Sequence, residues 1–208
     1  MKKKELLRTL KIIFFVFAAI GLICLLLYVV SILFLADTGD EVSNEFSFYV
    51  ADYEENIFED EVYLSKIRNV YYLEYGSGDM ITESNIGALS NNAKFFDSYF
   101  DIVINGEYGS YKNFFTKKYL EKNKIPEKFT MQKLYDISVD LYDKKTITED
   151  NNSIMSYTFI VRYKIFENNG TFRSDVGSNM IRPLVFMLYE TKDGILINDI
   201  YYKKIMED

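Results

Sequence analysis

Residues 155–165 read MSYTFIVRYKI, and this stretch decides the fold class of the chain. Apolar and polar side chains alternate along it, which is typical of a β-strand with one buried face and one wet face. Asn169 and Gly170 follow soon after, and an Asn-Gly pair beside an alternating segment predicts a hairpin turn. We therefore expect a return strand from Thr171, with a bulge near Gly177.

The same alternation extends to both sides of this strand. Residues 135–141 alternate in the same way and predict a half-buried strand before it. Residues 181–189 are apolar on both faces, as in a central strand, and a Lys-Asp-Gly turn at 192–194 leads into a last strand at 195–202. These segments together predict an antiparallel sheet of four or five strands.

Helical periodicity appears only before the sheet. Between residues 93 and 123 aromatic residues recur at helical spacing, and Asn105-Gly106 interrupts them, which predicts a helix, a break and a second helix. Apolar residues between 41 and 72 also recur largely at helical spacing and predict further short helices. The expected fold class is α+β, with helices packed in a curved antiparallel sheet that follows one N-terminal transmembrane helix.

The transmembrane helix is predicted from residues 12–36, which contain 25 residues without a charge. At 1.5 Å per residue this run reaches about 37 Å, enough to cross a hydrocarbon core of about 30 Å. It is too long for the apolar core of a signal peptide, and Ile23 before Cys24 does not fit a lipoprotein signal. Five basic residues precede the run and acidic residues follow it, so the N-terminus is expected in the cytoplasm and the C-terminal part outside the cell membrane.

Four segments follow from these patterns. They are a cytoplasmic tail at 1–11, the transmembrane helix at 12–36, a juxtamembrane helical region at 37–92 and an α+β domain at 93–208. The bilayer is thus one expected partner, through residues 12–36. Because the tail carries a net charge of +4 and the whole chain −7, the external part carries −11. Nineteen lysines against five arginines are typical of AT-rich genomes and predict a low-GC Gram-positive source.

Composition excludes several classes of function. The chain has no histidine and one cysteine, so histidine-based catalysis, multi-cysteine metal sites and an intrachain disulfide are ruled out. The acidic net charge argues against nucleic acid as a partner. Asp136 and Asp140 are the carboxylates nearest to a strand pattern, but they alternate with its apolar face and are expected in water. We expect no enzyme activity, no cofactor and no metal.

Two groups of residues resemble parts of a known superfamily. The aromatic run at 95–100, Asn105-Gly106 and Phe114-Phe115 look like the opening helices of NTF2-like domains, and residues 185–200 look like their closing hairpin. The resemblance covers about residues 93–204 and implies a cone-shaped sheet around helices. The architecture of a short tail, one span and an external domain also resembles VirB8-like components of conjugation and type IV secretion machinery.

Two functions are compatible with these patterns. The first is a non-enzymatic, membrane-anchored interaction module that binds other membrane or envelope proteins or a second copy of itself. Tyrosine suits such surfaces, and the expected interface residues are Tyr71, Tyr72, Tyr201 and Tyr202. The alternative is a membrane-tethered domain that binds or senses a small ligand, with a pocket lined by Tyr157, Phe159 and Met187. If large apolar side chains fill the concave face of the sheet, the first function is favoured.

Overall fold

Six strands form one mixed sheet in the part of the chain that the computed structural model describes, residues 46–149 and 152–202. Their order across the sheet is β2-β1-β3-β4-β5-β6. Neighbouring strands are antiparallel except for β1 and β3, which run parallel. The strands are β1 (Tyr71–Glu74), β2 (Ser77–Met80), β3 (Leu134–Glu149), β4 (Asn152–Ile165), β5 (Leu184–Thr191) and β6 (Gly194–Tyr202).

The parallel pair makes the predicted fold class wrong. Helices packed in a wholly antiparallel sheet were expected, whereas β1 aligns Tyr71 with Ser138 and Glu74 with Leu141 in a parallel register. A parallel pair needs a long crossover connection, and here the chain from β2 to β3 supplies it. The helices that follow β2 lie inside that connection. Period-two patterns reveal a strand but not the direction of its partner, so the sequence offered no sign of this pairing.

One long helix and several single turns make up the helical part of the described residues. Ser90 begins the long helix, because its hydroxyl accepts a hydrogen bond from the Ala93 backbone N–H at 3.3 Å. The helices are α1 (Glu61–Leu64), α2 (Asn91–Ile104), α3 (Tyr108–Tyr111) and α4 (Lys117–Lys122), with 3-10 turns at Ile57–Glu59, Ile86–Ala88 and Lys112–Phe114. The predicted helix, break and second helix thus appear as α2 followed by shorter turns.

The core lies between α2 and one face of the sheet. Phe96 on α2 is fully buried, and its ring centre lies 4.9 Å from that of Phe159 on β4 and 5.9 Å from that of Phe186 on β5. Tyr99, one turn later, contacts the Phe186 ring edge-on at 5.5 Å. This aromatic packing places the start of α2 over the middle strands of the sheet.

The predicted helical region at 37–92 is largely not helical where the structure describes it. Apart from α1, two 3-10 turns and the first two residues of α2, residues 46–92 are extended, irregular or part of β1 and β2. The extended residues before Ile57 pack against a later loop: the Tyr49 N–H donates to the Asn168 carbonyl at 3.0 Å. Several of the apolar residues at helical spacing are exposed, among them Val50 at 92% and Ile67 at 58%, so this spacing does not mark one buried helical face.

The predicted return strand after Gly170 is also absent. Residues 166–183 form a loop without strand structure, and β5 begins only at Leu184. Gly170 does have a positive φ of 73°, but Asn169 does not, so the two residues do not make the expected hairpin turn. The buried Asn168 organises the loop instead, because its amide donates to the carbonyls of Arg173 and Val176 at 2.9 and 2.6 Å.

Every helix among residues 46–149 and 152–202 is too short or too polar to cross a bilayer. The span predicted at residues 12–36 lies outside these described residues, as do the tail at 1–11 and the first part of the juxtamembrane region.

Candidate functional site

The last two tyrosines of β6 lie in an exposed group of side chains. Tyr201 and Tyr202 are 45% and 47% exposed, and Met180 and Ile181 from the loop before β5 are exposed to a similar extent. The Arg182 guanidinium lies 3.9 Å from the centre of the Tyr202 ring and links the loop to the strand. Tyr201 and Tyr202 are consecutive in β6 and point to opposite faces of the strand. We refer to Met180, Ile181, Arg182, Tyr201 and Tyr202 together as the C-terminal patch, which therefore includes side chains on both faces of the strand end.

The C-terminal patch lies at an edge of the sheet. β6 is the last strand in the sheet order, so one side of its backbone faces away from β5. Phe115 bridges that side at Ile197, where the Thr116 N–H donates to the Ile197 carbonyl at 2.9 Å. Among the described residues, no strand pairs with this side of β6 beyond that bridge. An edge strand of this kind can accept a strand from a partner.

The other two predicted interface residues, Tyr71 and Tyr72, differ in exposure. Tyr71 is 41% exposed, and its hydroxyl donates to the Gly78 carbonyl at 3.2 Å. Tyr72 is 5% exposed and belongs to the core, with its ring centre 6.0 Å from that of Phe159. Alternation along β1 explains the difference, because consecutive residues of a strand point to opposite faces. Tyr72 therefore contributes to stability and not to a docking surface.

The three predicted pocket residues do not line one cavity. Tyr157 and Phe159 point to the core face of β4, whereas Met187 pairs with Thr158 and points to the opposite face. The core face itself is filled by four large side chains with relative exposures near zero, which are Phe159, Val161, Phe186 and Leu188. The space between α2 and the middle strands is thus packed with protein and leaves no room there for a ligand.

A cleft lies instead beside the start of α2, between the first residues of this helix and the neighbouring strands of the sheet. We refer to it as the α2 cleft; it has a volume of about 370 Å³. Its apolar floor consists of Leu141, Tyr157 and Ile195. Its polar lining residues include Glu74 at the end of β1, Glu190 near the end of β5, Lys144 on β3, and Ser90 and Asn92 at the start of α2.

Two tyrosine–glutamate pairs shape the electrostatics of the α2 cleft. The Tyr157 hydroxyl donates to Oε2 of Glu190 at 2.8 Å, and the Tyr72 hydroxyl donates to Oε1 of Glu74 at 2.9 Å. Burial, together with the carboxylate of Glu190, raises the pKa of Tyr157 to about 12. Burial likewise raises the pKa of Tyr72 above its ordinary value. Both hydroxyls therefore stay protonated at neutral pH and hold the two carboxylates in place.

Two further charged clusters lie away from the cleft. The Lys133 ammonium, with a side chain 6% exposed, contacts the carboxylates of Glu55 and Asp60 at 2.8 Å each and also that of Glu167. The buried Arg173 pairs with Asp175, which Arg182 also contacts at 3.3 Å. In each cluster the opposite charges pair with one another within the domain, so both clusters connect segments of the chain by ion pairs.

Metal binding finds no support in the described part of the chain. Across residues 46–149 and 152–202, no group of three or more acidic or cysteine side chains could hold a metal ion. Of the pocket residues predicted from the sequence, Tyr157 lines the α2 cleft. The polar lining was not predicted, because Glu74, Asn92 and Glu190 lie far apart along the chain and belong to no motif. Only the mixed sheet brings them together.

Comparisons with known protein families, with curated proteins and with solved structures show no significant match for this chain. The resemblance to NTF2-like domains and to VirB8-like components therefore stays a prediction. Function has to be inferred from the geometry of the chain itself.

Proposed function

We propose that the chain is a membrane-anchored, extracytoplasmic interaction module that docks onto another envelope protein through the C-terminal patch. The observation that carries this proposal is the end of β6, where Tyr201 and Tyr202 are about half exposed at an open sheet edge. Tyrosine contributes large contact areas at protein interfaces while tolerating water. An open edge adds backbone hydrogen bonds to that recognition.

The filled core favours this function over an internal ligand site. A small-ligand domain of the expected kind would hold its ligand between the helices and the sheet. Phe159 and Phe186 occupy that space and contact the Phe96 ring there. A partner must therefore be bound at the surface, which is what an interaction module requires.

The membrane attachment in this proposal is supported by the sequence alone. The 25 uncharged residues at 12–36, with basic residues before them, favour a single span with the C-terminal domain outside. An anchored domain meets its partners in the plane of the membrane. Weak docking through a small patch then suffices, because tethering raises the effective concentration.

Site-specific photocrosslinking in intact cells tests the proposal. A photoreactive phenylalanine analogue placed at Tyr201 of the full chain should give discrete adducts with an envelope protein. The same analogue at Tyr142, which is 69% exposed on β3, is the matched control and should give none. An adduct of twice the chain mass would identify a second copy as the partner. Equal adduct patterns at both positions, or no adduct at Tyr201, would contradict the proposal.

A companion variant separates docking from folding. Tyr201→Ala combined with Tyr202→Ala should abolish the adducts of an analogue placed at the neighbouring Ile181, because the aromatic contact area is lost. The free energy of unfolding of this double variant should lie within about 1 kcal/mol of that of the wild type, since both side chains are about half exposed. Persistence of the Ile181 adducts in a folded double variant would mean that these tyrosines do not form the interface.

A further inference from the structure

The α2 cleft presents hydrogen-bond acceptors that the described residues leave unused. Asn92 lines the cleft and is 5% exposed, yet its buried Oδ1 accepts no hydrogen bond. Buried acceptors are normally satisfied, so this one is an exception that requires an explanation. The carboxylates of Glu74 and Glu190 line the same cleft, and each accepts a tyrosine hydroxyl through one oxygen. A ligand of this cleft must therefore supply hydrogen-bond donors.

The floor of the cleft requires a second property of the ligand. Leu141, Tyr157 and Ile195 are apolar or aromatic and would pack against methylene groups. The Tyr157 ring also attracts positive charge, since the Lys144 ammonium lies 5.3 Å from the ring centre. An aliphatic stem that ends in several N–H donors matches both the floor and the acceptors.

We propose that the α2 cleft binds an organic cation, a primary ammonium or guanidinium group on a short aliphatic stem. The ionised side chains that line the cleft are two glutamates and one lysine, so the site has a net negative charge without a ligand. This site is separate from the C-terminal patch and does not depend on the docking proposed there.

The cation can come from a free amine or from a lysine or arginine side chain of a polypeptide. Titrations of the full chain, in non-ionic detergent and labelled with ¹⁵N-asparagine, test the proposal. The Asn92 side-chain resonance, assigned with an Asn92→Gln variant, reports directly on a donor at Oδ1. The probes are n-butylammonium, n-butylguanidinium, butyrate, and a blocked Ala-Ala-Lys-Ala-Ala peptide with its norleucine counterpart.

Either butyl cation should shift the Asn92 resonance to saturation, and butyrate should not. Glu74→Gln with Glu190→Gln should weaken cation binding about tenfold or more, because charge-assisted hydrogen bonds are lost. Lys144→Met should strengthen it, since a like charge is removed. Glu121→Gln, on the exposed side of α4, is the matched charge control and should leave binding unchanged.

Three results would overturn the proposal. They are the absence of a saturable shift with either cation, unchanged binding in the double glutamine variant, and saturable butyrate binding that Lys144→Met weakens. The last of these would identify an anion site. The peptide titrations then distinguish the two sources of the cation. A polypeptide side chain is identified if the lysine peptide binds tenfold more tightly than n-butylammonium and the norleucine peptide does not bind. Equal or weaker peptide binding identifies a free amine.

Discussion

Replacing Lys133 with methionine removes the charge that ties three segments together while keeping most of the side-chain volume. The Lys133 ammonium contacts Glu55 and Asp60 from the segment before β1 and Glu167 from the loop after β4. We expect the Lys133→Met variant to fold and to be less stable than the wild type.

The magnitude follows from the exposure of the partners. Removing one member of a fully buried ion pair costs about 3–5 kcal/mol, because the other charge is left unpaired away from water. Here the carboxylate side chains are 24–39% exposed and regain water when the ammonium is lost. We therefore expect a loss of about 2 kcal/mol in the free energy of unfolding at neutral pH.

The pH dependence gives a second signature. The hydrogen bond from Lys133 lowers the pKa of Asp60 below its ordinary value. Burial alone would lower the pKa of Lys133, but hydrogen bonds to its carboxylate partners raise it above its ordinary value. The stabilisation from Asp60 is therefore present above pH 3.8 and lost as the pH falls through the lowered pKa, while that from Lys133 is lost only at strongly alkaline pH. The difference between the wild type and the variant should be constant near neutral pH and shrink in acid.

Urea denaturation of the full chain in non-ionic detergent, followed by circular dichroism, measures both effects. Lys145→Met is the matched control, because its ion pair with Asp143 spans 3.6 Å between side chains that are 56% and 45% exposed. The control should lose less than about 0.5 kcal/mol. Equal losses in the two variants, or a difference that persists in strong acid, would refute the reasoning.

Three other substitutions test the loop and the core in the same denaturation assay. Asn168→Ala should cost about 2–3 kcal/mol, because two loop carbonyls lose their donor; a loss below 0.5 kcal/mol would show that the loop does not depend on this amide. Gly170→Val should cost about 1–3 kcal/mol, since φ is +73° and a Cβ would lie 3.1 Å from the Phe48 ring; the control Gly87→Ala meets no atom within 4 Å, and an equal cost there would contradict this reason. Phe96→Ala should cost about 3–5 kcal/mol through a cavity under the sheet, and a smaller cost would mean that the core collapses around the gap.

Periodicity predicted the parts of the fold that one buried face determines. The alternation at 155–165 corresponds to β4, and the aromatic spacing from Phe95 onward corresponds to α2. The last strand ends with Tyr201 and Tyr202, and both are exposed as expected of interface residues. Each of these features depends on contacts that repeat along a single segment, and such contacts leave a pattern in the sequence.

Features that depend on distant segments left no such pattern. Tyr72 is buried because β1 pairs with β3, and the sequence of residues 71–74 does not indicate which strand β1 pairs with. A hairpin was predicted at Asn169-Gly170, but the structure has a loop at 166–183. The side-chain amide of Asn168 holds this loop by hydrogen bonds to two backbone carbonyls, and the sequence around Asn168 does not indicate them. Glu74 and Glu190 meet at one cleft only through the order of strands in the sheet.

The parallel pairing of β1 with β3 has a consequence for synthesis of the chain. Tyr71 pairs with Ser138, 67 positions later, so β1 leaves the ribosome well before its partner exists. At about 5–20 residues per second, β1 waits roughly 3–13 s. By contrast, β4, β5 and β6 each begin at most 19 residues after the preceding strand ends. During that interval β2 is the only neighbour with which β1 can pair, and an isolated two-stranded ribbon is marginally stable at best in water. The four-stranded meander is thus expected to fold first, with β1 docking as a late step.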